Sequence, residues 1–419
     1  MGLCSEILVH RMTQLPQRKA VAVFAVLALA YFLSALIRAI TATLAPTLVH
    51  ELSLNAADLG LLAGAYFLGF SLTQLPLGSW LDRKGPKWVE SVLLLLAMAG
   101  CIAFSQATSF TGLMLSRVLC GVGLSACLMA PLTGYRRWFA PATLMRANSW
   151  MLMLGALGTV ASTLPVQWLL PIMGWRPIFL ILAVAVAISV VLILWQLPLW
   201  TQATPLNSPT PASLSAGYAE IWRNPYFRML MPLGFFGYGG MIAIQTLWAV
   251  PWLVRVAGFS PVKATTGLFW ISIAMLLMYW LWGLANPWFA RHKISANQLL
   301  RQGVPLSFLP LLMLAASGAA WPAAAPWAWG MFCVLATVCT IAQPAVGMAF
   351  PAELAGRALT AYNLVVFCGV FAVQWGMGLA IEALRARDWS ETAAYQGALS
   401  AFALCYVLSY LYFLLAKKP

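Results

Sequence analysis

Two arginines, Arg38 and Arg117, stand inside long apolar runs of this chain. A charge in such a run costs several kcal/mol to place in lipid, so it marks a functional site by default. Helical spacing puts Tyr31, Ser34, Arg38 and Thr41 on one face of their run, a polar stripe that should border water. At 1.5 Å per residue, Arg38 lies roughly 12 Å and Arg117 roughly 10 Å from the end of its segment. Gln245 reaches a similar depth, roughly 14 Å, so three polar groups approach one layer. Around Gln245, the residues Tyr238, Met241, Trp248 and Trp252 recur at three- and four-residue spacing, which suits an aromatic pocket for a small organic molecule.

The acidic residues fall elsewhere: Asp58, Asp82, Glu90, Glu353 and Glu382 lie at segment ends or in loops. Both arginines therefore lack an internal counter-ion. A cation would meet two uncompensated positive charges, whereas a carboxylate or phosphate can take bidentate hydrogen bonds from a guanidinium. The candidate substrate-binding group is Arg38, Tyr31, Ser34, Thr41, Arg117, Tyr238, Gln245 and Trp248.

Residues for covalent chemistry are missing from the pattern. No nucleophile–base pair, phosphate-cradling glycine loop or metal-ligand cluster occurs, and the eight cysteines include no C-x-x-C pair. No catalytic residue, cofactor or metal is expected, and the chain reads as a non-enzyme. His10, His50 and His292 lie outside the apolar core, so no titratable group suited to proton coupling is evident in the sequence.

The elements that must carry these side chains follow from composition. Of 419 residues, 62% are hydrophobic and 8% charged, against about 25% charged in an average soluble domain. Such a chain needs lipid as its solvent. Apolar segments near 21–46, 57–80, 87–106, 110–135, 145–170, 175–197, 229–254, 264–287, 297–318, 325–349, 357–380 and 393–416 are each long enough to cross a bilayer as a helix. The expected fold is an all-α membrane protein of twelve transmembrane helices in two pseudo-symmetric six-helix bundles. Residues 1–197 form the first bundle, 198–228 a cytoplasmic linker of flexible composition and 229–419 the second bundle. A cleaved signal peptide at the first segment is disfavoured by its length and by Arg38.

The net charge of +14 is spread in small groups between segments, which speaks for topology and against nucleic acid. With the N-terminus inside, most basic residues, including Arg83, Lys84, Arg136, Arg137, Arg291 and Arg357, fall on the cytoplasmic side. The expectation is a multi-pass protein of the cytoplasmic (inner) membrane with both termini cytoplasmic.

Between the second and third segments runs Gly78-Ser79-Trp80-Leu81-Asp82-Arg83-Lys84-Gly85-Pro86-Lys87. This stretch resembles the G-x-x-x-D-R-x-G-x-[RK] loop of the major facilitator superfamily. Arg117-x-x-x-Gly121-x-Gly123 and Gly174-Trp175-Arg176-Pro177-Ile178-Phe179 resemble further patterns of that family. The resemblance implies the major facilitator fold and a gating role for Gly78, Asp82, Arg83, Gly85 and Lys87. The second-half counterpart of the loop has Pro287 in place of the aspartate, and Gly155-x-x-Gly158 departs from the drug-antiporter signature because its proline comes only at Pro165. The run from Tyr31-Phe32 through Arg38 to Pro46 resembles the first helix of organophosphate and organic-anion transporters. Those phosphate exchangers carry a second arginine on the seventh helix, whereas here nothing basic lies between Arg228 and Arg255. The resemblance therefore favours a carboxylate over a phosphate ester.

The expected function is secondary active transport of a small organic anion or zwitterion by alternating access. A multidrug or metabolite efflux pump and a non-transporting membrane sensor of the same fold are the alternatives. The expected partners are the anionic solute, the lipid bilayer and a co-transported ion or proton; a monomer suffices.

Overall fold

The computed structural model describes residues 15–200, 211–317 and 320–416. Residues 201–210 of the expected linker, together with Cys4, His10, Arg11, Lys417 and Lys418, lie outside the described residues. The described chain is almost wholly helical, as it must be where lipid offers backbone groups no partners.

The first span is α1 (Gln17–Leu52). Next comes α2 (Ala56–Gln106), whose 51 residues would extend about 76 Å if straight, far more than one bilayer crossing. The chain breaks at Gly85, with φ +77° and ψ 164°, into two arms that are the expected second and third spans. A side chain at Gly85 would be strained in this backbone region, and a Cβ there would stand 2.3 Å from the Trp200 side chain. The fourth span is split into α3 (Phe110–Leu124) and α4 (Met129–Trp138) by the turn at Ser125–Leu128.

The fifth span departs from one continuous segment. It consists of α5 (Pro141–Ala161) and α6 (Leu164–Met173), bent by 40°, because Pro165 has no amide hydrogen and its ring opposes the preceding turn. The sixth span is α7 (Trp175–Gln196). Part of the connection expected to be flexible is the helix α8 (Pro211–Arg223). Its buried Gly217 and Ile221 and half-buried Tyr218 and Trp222 form one apolar face on the bundle.

The remaining spans are α9 (Pro225–Arg255), α10 (Pro261–Arg291), α11 (Ala296–Ala316), α12 (Pro322–Met348), α13 (Ala352–Arg385) and α14 (Glu391–Leu415). Ten helices among the described residues are long and apolar enough to cross a membrane, and the bent pair α5/α6 makes eleven. The second arm of α2 makes twelve.

Contacts distinguish two faces of the bundle. On the linker face, Lys87 Nζ donates to the Leu197 carbonyl at 3.1 Å and Trp200 Nε1 to the Asp82 carbonyl at 3.1 Å. On the far face, Arg176 pairs with Glu51, and Glu382 on α13 accepts a hydrogen bond from the Ala56 amide at 3.0 Å. There α2 and α13 lie almost backbone to backbone. A Cβ at Gly60 would meet the Gln374 carbonyl at 2.4 Å, and one at Gly378 the Ala56 carbonyl at 2.3 Å.

Candidate functional site

A cavity of about 2050 Å³ runs from the bundle centre to the linker face. Its inner wall carries Tyr31, Ser34 and Arg38 from α1, and Tyr238, Ile242, Gln245 and Thr246 from α9. Asp82, Arg83, Arg136, Gly283, Leu284 and Gly356, all exposed, ring the mouth. The tight α2–α13 packing closes the opposite end.

Arg38 is the central charge. Its guanidinium is within hydrogen-bonding reach of the Tyr31 phenol, and Tyr66, Tyr238 and Tyr279 feel its field. These four phenols come from α1, α2, α9 and α10, so both halves of the chain converge on one cation. Among the described residues lining the cavity, Asp82 at the mouth is the single carboxylate, whereas Arg38, Arg83, Arg136, Arg137 and Arg357 supply five guanidiniums. The surplus is positive along the whole path.

Of the side chains singled out from the sequence, Tyr31, Ser34, Arg38, Tyr238 and Gln245 line the cavity. Thr41, Arg117 and Trp248 do not; they are 3%, 0% and 1% exposed. Thr41 shares the face of Arg38 but stands about one turn further toward the far face, where the bundle is packed shut. Trp248 donates through Nε1 to the Gln374 carbonyl at 3.1 Å. Its displacement from the predicted stripe has a backbone cause. Wide, π-type turns at Gly234–Gly239 and Ile244–Trp248 contain more residues per turn than the 3.6 on which the stripe rested. Tyr238 and Gln245 stay on the cavity side, while Met241, Trp248 and Trp252 turn into the core.

Arg117 lies behind α1. Its Nη1 donates to the Ile37 carbonyl at 2.9 Å, its guanidinium sits 5.1 Å from the Tyr66 ring centroid, and Nε and Nη2 have no partner among the described residues. It holds the backbone that bears Arg38 instead of facing the cavity.

The loop residues sit as follows. Gly78, Asp82 and Arg83 line the mouth, with Asp82 in the field of Arg357 and Arg136. Gly85 forms the break, and Lys87 ties it to the end of α7. Several polar lining residues were not among the expected binding group: Gln343 and Tyr279, together with Asn148 and Asn363, which the sequence marks only as matching positions of its two repeated halves. Gln343 Nε2 donates to Asn363 Oδ1, and Asn148 Oδ1 is buried without a partner. They lie on segments far apart in the chain, and only the assembled wall brings them together.

This architecture, among the described residues twelve spans around a cavity with charged and polar groups on its wall, open at the linker face, is that of a membrane carrier. Residues 27–374 match the Major Facilitator Superfamily, and the chain belongs to that family. Among curated relatives, it is 25% identical over 238 residues to the Probable L-galactonate transporter of Escherichia coli, 56% of this chain and 48% of that one. It is 28% identical over 156 residues to the 4-hydroxybenzoate transporter PcaK of Acinetobacter baylyi, covering 37% and 34%. The Hexuronate transporter of Escherichia coli is 26% identical over 157 residues, 38% of this chain and 36% of that one. The chain spans about half the length, or less, of these relatives.

The fold is shared with a bacterial homologue of the human lysosomal transporter Spinster in an inward-facing, unoccupied conformation. The TM-score is 0.76 at 17% identity, covering 96% of this chain and 98% of that one. A D-xylose-proton symporter matches at TM-score 0.76 and 14% identity, covering 95% and 98%. The family and these relatives are transporters, not enzymes.

Proposed function

We propose that this protein is a secondary transporter for a small organic anion, with a carboxylate of the solute bound to Arg38. The observation that carries this reading is the charge of the cavity: five guanidiniums and one carboxylate, with phenols from both halves within electrostatic range of Arg38. In this low-dielectric setting a carboxylate gains two parallel charge-assisted hydrogen bonds from a guanidinium. Tyrosine hydroxyls can donate to the remaining oxygens, and the aromatic faces of Tyr238 and Tyr279 can cover an apolar or ring portion. The relatives named for galactonate, hexuronate and 4-hydroxybenzoate are named for carboxylates and support the same class.

In this reading residues 1–197 and 229–419 rock against each other about the site, joined by 198–228. The present state is the inward-open one, with the linker face and both termini cytoplasmic. Gly78, Asp82, Arg83, Gly85 and Lys87 then act at the mouth, where the field between Asp82 and Arg357 spans the two halves. Arg38, Tyr31, Ser34, Tyr238 and Gln245 form the binding wall, and Arg117, Thr41 and Trp248 support it from behind.

The test is thermal stabilisation of the purified protein by galactonate, galacturonate and 4-hydroxybenzoate against a lipophilic cation, tetraphenylphosphonium, followed by uptake of the stabilising compound into proteoliposomes. Stabilisation by the carboxylates that disappears in Arg38→Ala is the expected result. Stabilisation by the cation alone would instead identify an efflux pump. A carboxylate that binds without crossing the membrane would identify a sensor.

A further inference from the structure

Glu90 is the one acidic side chain among the described residues that is fully buried, at 0% exposure, and neither of its carboxyl oxygens has a hydrogen-bond partner there. It stands on the second arm of α2, five residues beyond the Gly85 break, about 7.5 Å along the helix. The groups within electrostatic reach of it are the Cys127 thiol and the Tyr135 phenol, both on the fourth span. Lys87, one turn away, donates to the Leu197 carbonyl. The helix α7, packed along the same arm, carries one titratable side chain, Arg176, held by Glu51 at the far face. An ionised carboxylate with no donor in such a place costs several kcal/mol, and a protonated one does not.

The position of Glu90 ties it to the cavity. Cys127 belongs to the four-residue break between α3 and α4, and Pro131 has no amide hydrogen to give to the Cys127 carbonyl. On the other side of the break Leu124, Ser125, Leu128 and Met129 line the cavity, and Cys127 also lies in the field of Arg38. A non-helical stretch at membrane depth is a place where a span can change shape. Here it separates a buried carboxyl from the binding wall.

We propose that Glu90 is a proton-binding site. It carries a proton while the cavity is open at the linker face and releases that proton to water when the Ser125–Leu128 break rearranges and the mouth closes. The bound proton then stabilises the mouth-open state, because only in that state must the carboxyl be neutral. The coupling half of this inference rests on the transport reading; the protonated carboxyl does not.

The test has two arms on the full-length protein in lipid. Infrared spectroscopy at neutral pH should show the carbonyl stretch of a protonated carboxylic acid, lost in Glu90→Gln. For the second arm, spin labels are placed on Trp80→Cys and Leu284→Cys, both exposed on opposite sides of the mouth, after replacement of Cys4, Cys368 and Cys405. Their separation should shorten as pH rises from about 5 to about 9, a span covering ordinary and buried carboxyl titrations. In Glu90→Gln it should stay at the long distance throughout.

No protonated-acid band in the native protein, or a band that survives in Glu90→Gln, overturns the site. Equal pH dependence of the distances in both proteins overturns the coupling. If the variant fails to fold, the native protein still decides, since band and distance must titrate over the same pH range. A protein that moves no anion yet passes the infrared arm loses the transport reading and keeps the site.

Discussion

Arg117 gives a hydrogen bond from Nη1 to the carbonyl of Ile37 at 2.9 Å, one residue before Arg38. The two arginines therefore divide the work: one faces the cavity, and the other fixes the backbone on which the first is mounted. Arg38→Ala should weaken carboxylate binding by about 2–5 kcal/mol, roughly 30-fold or more, because it removes a charged hydrogen-bonding partner. Arg38→Lys should retain weak binding, since it keeps the charge and loses the planar fork. Arg117→Met should retain carboxylate binding within about tenfold (~1.4 kcal/mol) while lowering the melting temperature. Calorimetric titration of the three variants with galactonate checks the ranking; equal losses at both positions would contradict it.

If the proposed substrate class holds, the basic lining should also set how fast an anion arrives. Arg83, Arg136, Arg137 and Arg357 lie along the route to Arg38, and a one-signed cleft raises the encounter rate of the opposite charge. Stopped-flow binding of galactonate should slow as salt rises from about 0.01 M to about 1 M, where the screening length falls from about 30 Å to about 3 Å. The dissociation rate should change far less. A salt-independent association rate would remove the steering role.

Closure of the far face depends on the absence of side chains. At Gly60 a Cβ would come within 2.4 Å of the Gln374 carbonyl, a main-chain atom that cannot step aside. Gly60→Val should cost the mouth-open state about 1–3 kcal/mol and shift the population toward a state open at the far face. Labelling of a cysteine at Leu284, exposed at the mouth, should fall accordingly. Unchanged labelling would mean that the α2–α13 contact does not report the state.

At the break in α2, two separate penalties meet. Gly85 has a positive φ, and its missing Cβ makes room for Trp200. Gly85→Ala should destabilise the fold by about 1–3 kcal/mol from the backbone conformation alone, and further from the clash. Adding Trp200→Gly, which removes the Cβ at 2.3 Å together with the indole, should relieve the clash component and leave the backbone one, so that a double-mutant cycle of melting temperatures gives a clearly non-additive result. Strict additivity would show that the indole yields without cost.

The sequence carried the spans and the central cation because both rest on strong local energetics, namely apolar length and the cost of charge in lipid. The polar stripe Tyr31, Ser34 and Arg38 was legible for the same reason. Thr41 was not separable from that stripe, since periodicity fixes a face and says nothing of how far along it a cavity reaches. On α9 the period itself changes at the wide turns, so Trp248 left the predicted face while Gln245 kept it. Arg117 and Glu90 illustrate a third limit. Depth along a helix can be counted from sequence, but whether a side chain at that depth meets water, backbone or nothing depends on helices far away in the chain. Glu90 lies only five residues past Gly85, and counting alone put it at a segment end; the fourth span buries it.

The lopsided lining has an electrical consequence for the proposed cycle. The guanidinium of Arg38, fixed to the wall, accompanies every change of access, so an unloaded carrier resets with its positive charge, whereas a loaded one resets with that charge neutralised by the anion. Each elementary charge displaced through the full field responds by about 2.3 kcal/mol per 100 mV. The empty return, more than the loaded stroke, is then the leg that membrane voltage governs, and one-for-one swapping of anions becomes the fast mode of operation.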